Sequence, residues 1–234
     1  AARLAAAHGW QVIADTSYDG YEDIPRDVMQ GYGAIAEEIV EQTSAQRGRA
    51  GAFTHVFLQG GVGGMAAGLA SYFWEYHGPQ RPCFISVEPA QADCLLQSAI
   101  QGRPAKATGT VDSVMAGLAC GETSPLAWRF LQPCVDVFMT IEDEQAIEAM
   151  RTLAQGSERD TPIVVGESGV AGLAALEWLR SDPQRSEQVG LTAESRVLII
   201  STEGATAPRE YTRLVGQSAE QVLQRQQAWQ AAHA

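Results

Sequence analysis

A run of glycines directly after a short apolar segment constrains the fold of this chain more than any other feature. Residues 54–70 read THVFLQGGVGGMAAGLA, with four glycines in the five positions 60–64. Glycine adopts backbone conformations that a side chain forbids, and it lets the backbone approach a ligand closely. We therefore predict a strand, a glycine turn and a small-residue helix, whose free N–H groups at the helix start suit a phosphate.

The composition argues against several classes of function. The formal net charge of −12 argues against a nucleic-acid partner, because affinity for nucleic acid depends mainly on Lys and Arg. No apolar run approaches the roughly 20 residues of a membrane span. The four cysteines and four histidines lack the spacing of a zinc site, so we expect reduced thiols in a cytoplasmic protein. The chain opens as if within a helix that stops at Gly9, so we expect the latter part of a longer polypeptide.

Apolar segments, polar turns and helical patterns alternate along the chain, which predicts an α/β fold with a mostly parallel sheet. The predicted strands are residues 10–14, 56–58, 83–87, 135–141, 163–165 and 196–200. Polar turns follow three of them, at residues 60–64, 166–169 and 201–204. Because the carboxyl ends of parallel strands meet at one edge, these turns are expected to converge on one ligand.

Two further polar positions have local interpretations. Residues 15–21, DTSYDGY, follow a predicted strand and belong either to a site or to a solvated turn capped by Asp15. Asp93 is expected to cap the helix that carries Leu95 and Leu96.

The glycine turn is compatible with more than one ligand. Residues 61–66, GVGGMA, match the dinucleotide pattern G-x-G-x-x-A, and Glu88 ends the next predicted strand, where a ribose-binding acid would lie. A hydrolase nucleophile at Ser168 is discarded, because G-x-S-x-G needs glycine where Val170 stands. The third candidate is pyridoxal phosphate, with a hydroxyl of Ser201 or Thr202 on the pyridine nitrogen. Such a neutral partner favours elimination at Cβ.

The order of five motifs resembles a known family. The motifs are GGVGG, SVEPAQADC, VMAGLACGETSP, VVGESGVAGLAAL and LIISTEG, and the resemblance runs from about residue 1 to residue 215. They resemble the fold-type II pyridoxal-phosphate enzymes, the group of serine and threonine dehydratases, and within that group most closely the diaminopropionate ammonia-lyases. The resemblance implies an α/β fold with helices on both faces of the sheet, and elimination of ammonia from 2,3-diaminopropionate to give pyruvate and ammonia.

The resemblance also implies roles for individual residues. The glycine turn would bind the cofactor phosphate through its backbone N–H groups; its members are Gly60, Gly61, Val62, Gly63 and Gly64. Ser201 or Thr202 would face the pyridine nitrogen, and Glu167 would be a carboxylate of the same pocket. Asp15 matches an acidic residue near the substrate, where it would act as a base on the Cα proton or hold the second amino group.

One departure from the family is severe. The family attaches the cofactor covalently through a lysine in a motif ahead of the region that this chain covers. Lys106, the only lysine of the chain, lies in a predicted loop outside any matching motif. The chain alone is therefore expected to be inactive.

Domains, partners and alternatives complete the sequence-based picture. Residues 1–48 would end a small domain and residues 49–234 would form the cofactor-binding domain of a homodimer. A serine or threonine dehydratase and an NAD(P)-binding domain stay open as alternatives.

Overall fold

The computed structural model describes residues 2–47 and 53–233. The helices of this part are α1 (Ala2–His8), α2 (Asp23–Arg47), α3 (Gly64–His77), α4 (Cys94–Gln101), α5 (Pro125–Cys134), α6 (Asp143–Gln155), α7 (Ala171–Arg180), α8 (Pro183–Gln188), α9 (Pro208–Val215) and α10 (Ala219–Ala232). The strands are β1 (His55–Gln59), β2 (Cys83–Pro89), β3 (Val137–Ile141) and β4 (Val197–Ile199).

The four strands form one parallel sheet in the order β3-β2-β1-β4. Phe57 at the centre of β1 lies between Ile85 of β2 and Ile199 of β4. All four strands run in the same direction, so their carboxyl ends lie at one edge of the sheet. The structure thus confirms the predicted parallel α/β architecture.

Alternate residues of β1 enter two separate hydrophobic cores. Phe57 packs on one face of the sheet with residues of α6, α7, α9 and α10. Val56 and Leu58 pack on the other face with residues of α2, α3, α4 and α5. Since a strand points successive side chains to opposite faces, a strand covered on both faces carries a continuous apolar run, as residues 56–58 of β1 do.

Small residues in α3 allow α2 to cross it very closely. A Cβ atom at Gly68 would lie 2.5 Å from the backbone oxygen of Met29. Gly33 of α2 is likewise covered by Tyr72, whose ring carbon would lie 3.7 Å from an added Cβ. This crossing places the first half of α2 beside the amino-terminal end of α3.

Two of the predicted strands are wrong. Residues 10–14 form no strand, and Trp10 and Ile13 are 63% and 71% exposed. Residues 163–165 form no strand either; their backbone contributes one bond from Ile163 N–H to the oxygen of Leu153. Both apolar runs resemble strands in composition, but in the described part of the chain neither forms the ladder of hydrogen bonds that a strand needs.

The proposed domain boundary between residues 48 and 49 falls outside the described residues and stays a prediction. None of the described helices combines the length and the apolar character that crossing a membrane would require.

The close crossing of α2 and α3 predicts a large difference between two glycine substitutions. Gly68→Ala would push the new Cβ against the backbone of Met29, so the helices must separate. We expect it to lower the free energy of unfolding by about 1–3 kcal/mol. Gly31→Ala, at an exposed position of α2 with no atom near an added Cβ, should instead raise it by up to about 1 kcal/mol. Urea denaturation measures both, and equal effects would contradict the close packing.

Candidate active site

Three polar turns and residue 15 surround one cavity of about 240 Å³ at the carboxyl edge of the sheet. Its wall consists of Asp15, Val28, Tyr32, Gln59, Gly61, Val62, Gly63, Gly64, Met65, Gly117, Leu118, Cys120, Ser168, Gly169, Thr202 and Glu203. The predicted convergence of the turns at residues 60–64, 166–169 and 201–204 is therefore present in the structure.

The glycine turn connects β1 to α3 and presents backbone donors to the cavity. Gly63 has φ of 101°, and an added Cβ would lie 2.7 Å from Leu131 of α5, so only glycine fits here. Among the described residues, no acceptor bonds to the N–H groups of Gly61, Gly63 or Gly64. These free donors at the start of α3 make a site for an anion.

Gly60 belongs to the turn but does not line the cavity. Its N–H donates to the oxygen of Val87 at 2.7 Å, and an added Cβ would lie 2.7 Å from Cγ of Glu88. Gly60 therefore lets the turn pass over the end of β2.

Glu88 is buried and caps α4, which leaves it unable to bind a ribose. Its two carboxylate oxygens accept hydrogen bonds from the N–H groups of Leu95 (2.7 Å) and Leu96 (2.8 Å). Burial raises the pKa of Glu88 to about 8, although these two bonds favour the charged form and act in the opposite direction. The interpretation of Glu88 as a ribose-binding acid is thus wrong.

Asp93 occupies the N-cap position of α4, but its side chain does not cap the helix. Its carboxylate accepts bonds from the backbone N–H of Thr108 (2.6 Å) and from the Thr108 hydroxyl (2.9 Å). The expected capping role is therefore filled by Glu88, and Asp93 instead ties the loop after α4 to the start of that helix.

Asp15 reaches the cavity on a segment that is anchored on both sides. The hydroxyl of Tyr21 bonds to the backbone N–H (2.9 Å) and oxygen (3.2 Å) of Ala14. Ser17 is buried; its Oγ accepts the N–H of Leu126 at 2.8 Å and lies 2.9 Å from Oγ of Ser124. Ser17 thus completes the first turn of α5, and Asp15 stays at the cavity wall although Trp10, Gln11 and Ile13 before it are exposed.

The carboxylate of Glu203 holds together the turns at residues 166–169 and 201–204. Oε2 of Glu203 accepts hydrogen bonds from the N–H groups of Ser168 (2.6 Å) and Gly169 (3.3 Å). The backbone oxygen of Glu203 accepts the N–H of Gly166 at 2.9 Å. Any side chain at Gly166 would meet the backbone of Gly204 at 2.4 Å, so glycine is required for this contact.

The two candidate hydroxyls differ in their surroundings. Oγ of Ser201 donates to the oxygen of Gly169 at 3.1 Å, and Ser201 is not part of the cavity wall. Thr202 lines the cavity.

Glu167 does not line the cavity either. Its side chain is buried, and burial raises its pKa, as does the nearby charge of Glu203. A role of Glu167 toward a bound molecule stays a prediction.

The sequence reasoning missed several residues of the wall. Ser168 supports the loop at residues 115–121 by accepting the N–H of Gly117 at 3.0 Å. Cys120 packs against the glycine turn, with its sulfur 3.2 Å from the place of a Cβ on Gly61. The apolar, small-residue character of that loop was the available signal, and it indicated close approach without identifying the partner.

Lys106 lies outside this cavity. Its ammonium group is paired with Glu122 at 2.6 Å and its side chain is 77% exposed. It borders a separate depression next to Tyr18 and Arg103. This exposed position agrees with the predicted location of Lys106 in a loop.

The buried cap on α4 predicts a pH-dependent stability. A glutamate ionises near pH 4.3 in an unfolded chain and Glu88 near pH 8 in the folded one, so its contribution to stability falls as pH rises through this window. Glu88→Gln removes the ionisable group and one hydrogen bond, so its free energy of unfolding should be lower by a constant amount at every pH. The difference from the unsubstituted chain should then shift in favour of the variant by up to about 1.4 kcal/mol for each pH unit between pH 4.5 and 8.

Urea denaturation at several pH values measures this slope. Glu122→Gln, on an exposed side chain, is the matched control and should show no comparable slope. If the free energies of unfolding of Glu88→Gln and of the unsubstituted chain differ by the same amount at every pH in this range, the folded protein keeps Glu88 ionised.

Comparison with known proteins agrees with this geometry. Residues 1–203 match the model of the family described as pyridoxal-phosphate dependent enzyme. The chain is 41% identical over 214 residues to diaminopropionate ammonia-lyase of Escherichia coli, covering 90% of this chain and 53% of that protein. It is 28% identical to a probable D-serine dehydratase of Pseudomonas aeruginosa, covering 90% of this chain and 49% of that protein.

A solved structure matches as well. The crystal structure of holo diaminopropionate ammonia lyase from Escherichia coli superposes with a TM-score of 0.82 at 40% identity, over 92% of this chain and 53% of that one. The chain thus spans about half the length of the curated relatives it matches. The predicted fold-type II architecture is confirmed, and the chain belongs to the family of pyridoxal-phosphate dependent enzymes.

Proposed function

We propose that the complete protein is a pyridoxal-phosphate-dependent ammonia-lyase that converts 2,3-diaminopropionate to pyruvate and ammonia. The observation that carries this proposal is the cavity itself, where free backbone donors at one turn face a carboxylate and a hydroxyl across a small volume. The 41% identity to diaminopropionate ammonia-lyase supports the choice of substrate. A bound pyridoxal phosphate would supply the electron-withdrawing ring that stabilises negative charge at the substrate Cα.

The residues present fit such a cofactor. The unpartnered N–H groups of Gly61, Gly63 and Gly64 suit its phosphate, and the carbonyl of Val62 is already occupied by the N–H of Ser124 at 2.9 Å. A side chain at position 61 would project toward Cys120 and the Gly117 oxygen. The turn therefore offers donors without a side chain that would cover them.

Thr202 is the better candidate for the partner of the pyridine nitrogen. It borders the cavity, where its hydroxyl makes a weak 3.9 Å contact with the sulfur of Met65, whereas the hydroxyl of Ser201 donates to the oxygen of Gly169 at 3.1 Å. A hydroxyl exchanges a hydrogen bond with the nitrogen without adding a proton to it. That tuning favours loss of a group from Cβ over reactions that need a stronger electron sink.

Asp15 is the carboxylate that we assign to the chemistry. It is exposed at the cavity wall, and its segment is held by Ser17 and Tyr21. In this position its carboxylate can accept the Cα proton or bind the second amino group of the substrate. Proton transfer by a positioned group typically contributes about 10²- to 10⁴-fold to the rate.

We assign no covalent role to Lys106. Its ion pair with Glu122 and its position in another depression leave it outside the cavity. The lysine that attaches the cofactor is therefore not in this sequence, and we expect the chain alone to lack lyase activity. A cytoplasmic, homodimeric enzyme is the corresponding proposal for the complete protein.

The test of this function uses the complete gene product. It should bind pyridoxal phosphate, seen as visible absorbance near the ultraviolet border, and release pyruvate from 2,3-diaminopropionate. Turnover of serine or threonine with none of diaminopropionate would favour a dehydratase. Quenching of NADH without a response to pyridoxal phosphate would overturn the proposal.

Substitutions separate the roles of the charged residues. Asp15→Asn should lower kcat by about 10²- to 10⁴-fold with cofactor binding retained, because it removes only the proton acceptor. Asp19→Asn, an exposed control on the same segment, should leave kcat unchanged.

Lys106→Ala tests the assignment of the lysine. We expect unchanged cofactor absorbance and unchanged turnover, because the side chain is exposed and lies outside the cavity. Loss of the cofactor signal in this variant would show that Lys106 is the attachment point and would overturn our assignment.

A further inference from the structure

Two clusters of backbone N–H groups belong to residues of the cavity wall, and they differ in whether an acceptor occupies them. The first is the glycine turn, whose free donors are described above. The second consists of the N–H groups of Ser168 and Gly169. Both of these donate to Oε2 of Glu203, at 2.6 Å and 3.3 Å. The second cluster is therefore already occupied by an anion that belongs to the protein.

The two clusters offer a phosphate the same kind of chemistry. The glycine turn comes directly before α3, and residues 168–169 come shortly before α7. The N–H groups at the start of a helix and the positive end of its dipole attract anions. Without the side chain of Glu203, a phosphate entering this cavity of about 240 Å³ would meet two sets of donors instead of one.

The carboxylate of Glu203 is held in its place by several contacts. The backbone oxygen of Glu203 accepts the N–H of Gly166 at 2.9 Å, and a Cβ on Gly166 would lie 2.7 Å from Cγ of Glu203. The oxygen of Gly169 is held in turn by Nε2 of Gln59, at 3.3 Å. Withdrawal of the carboxylate would leave the N–H groups of Ser168 and Gly169 without an acceptor, at a cost of about 1–3 kcal/mol for each buried donor. The carboxylate therefore stays on these donors.

We propose, on the basis of the function proposed above, that Glu203 is a positioning residue that directs the cofactor phosphate to the glycine turn. Its carboxylate fills the donors before α7, and its negative charge repels a second anion from them. The glycine turn is then the set of donors that remains open to a phosphate. Glu203 thereby leaves the cofactor one orientation, with its phosphate at the start of α3 and not at Ser168.

Three substitutions in the complete protein, freed of its cofactor, test this. Glu203→Ala removes the carboxylate and frees both donors. Glu203→Gln removes the charge but keeps an amide oxygen that can accept from the same two N–H groups. Glu158→Ala removes one carboxylate from an exposed position and is the matched control for the change in net charge.

The first readout is the number of inorganic phosphate ions bound, measured by isothermal titration calorimetry. We expect Glu203→Ala to bind one phosphate more than the unsubstituted protein, because the freed donors before α7 form a second anion site. Glu203→Gln and Glu158→Ala should keep the stoichiometry of the unsubstituted protein. An unchanged stoichiometry in Glu203→Ala would overturn the inference, and so would an additional phosphate in Glu203→Gln, in which the donors stay occupied.

The second readout is the unfolding temperature with and without phosphate or acetate. Either anion should raise this temperature more in Glu203→Ala than in Glu203→Gln, because a ligand that binds only the folded state stabilises it. A loss of stability in Glu203→Ala that neither anion reverses, including failure to fold in both buffers, would show a purely structural role and overturn the inference.

A separate measurement distinguishes this inference from the proposed function. If the unsubstituted complete protein fails to bind pyridoxal phosphate, the proposed function is overturned. If it binds pyridoxal phosphate and Glu203→Ala gains no phosphate site, the function stands and the role assigned to Glu203 is wrong.

Discussion

The parallel register of β4, β1 and β2 is the constraint on which the site depends. It brings the ends of these strands to one edge, so that turns more than a hundred residues apart in sequence share a wall. The turns can pack closely against their neighbours only where they carry glycine. Gly63 packs against α5, and Gly166 packs against the backbone of Gly204. With the strands staggered differently, the donors at residues 61–64 and the groups at residues 201–204 would not face one volume.

The cavity is electrostatically divided, in contrast to the uniformly acidic balance of the chain. One side presents backbone N–H groups at the start of α3, which attract an anion in spite of a net charge of −12. The same cavity wall also carries the carboxylates of Asp15 and Glu203. An anionic group and an amino group can therefore be held at once, which is the charge pattern of an amino acid joined to a phosphorylated cofactor.

The sequence predicted the elements whose signal is local. The unit of β1, the glycine turn and α3 could be found because glycines, small residues and an apolar run follow one another directly. The runs at residues 10–14 and 163–165 were misread, because an apolar composition does not say whether a neighbouring strand exists. The bonds of Gln59, Ser17 and Glu203 were not predictable, since each joins positions far apart in sequence. The sequence correctly placed Glu88 near the end of a strand. It did not indicate that the Glu88 carboxylate would accept hydrogen bonds from the N–H groups at the start of α4.

The hydroxyl of Ser17 links the wall that carries Asp15 to the start of α5. Because it occupies the amino end of α5, withdrawal of residues 15–17 would leave the N–H of Leu126 without a partner inside an apolar region. The same helix packs against Gly63, so the glycine turn and the Asp15 segment share α5 as a support. A displacement of Asp15 and a displacement of the glycine turn are therefore expected to be coupled through α5.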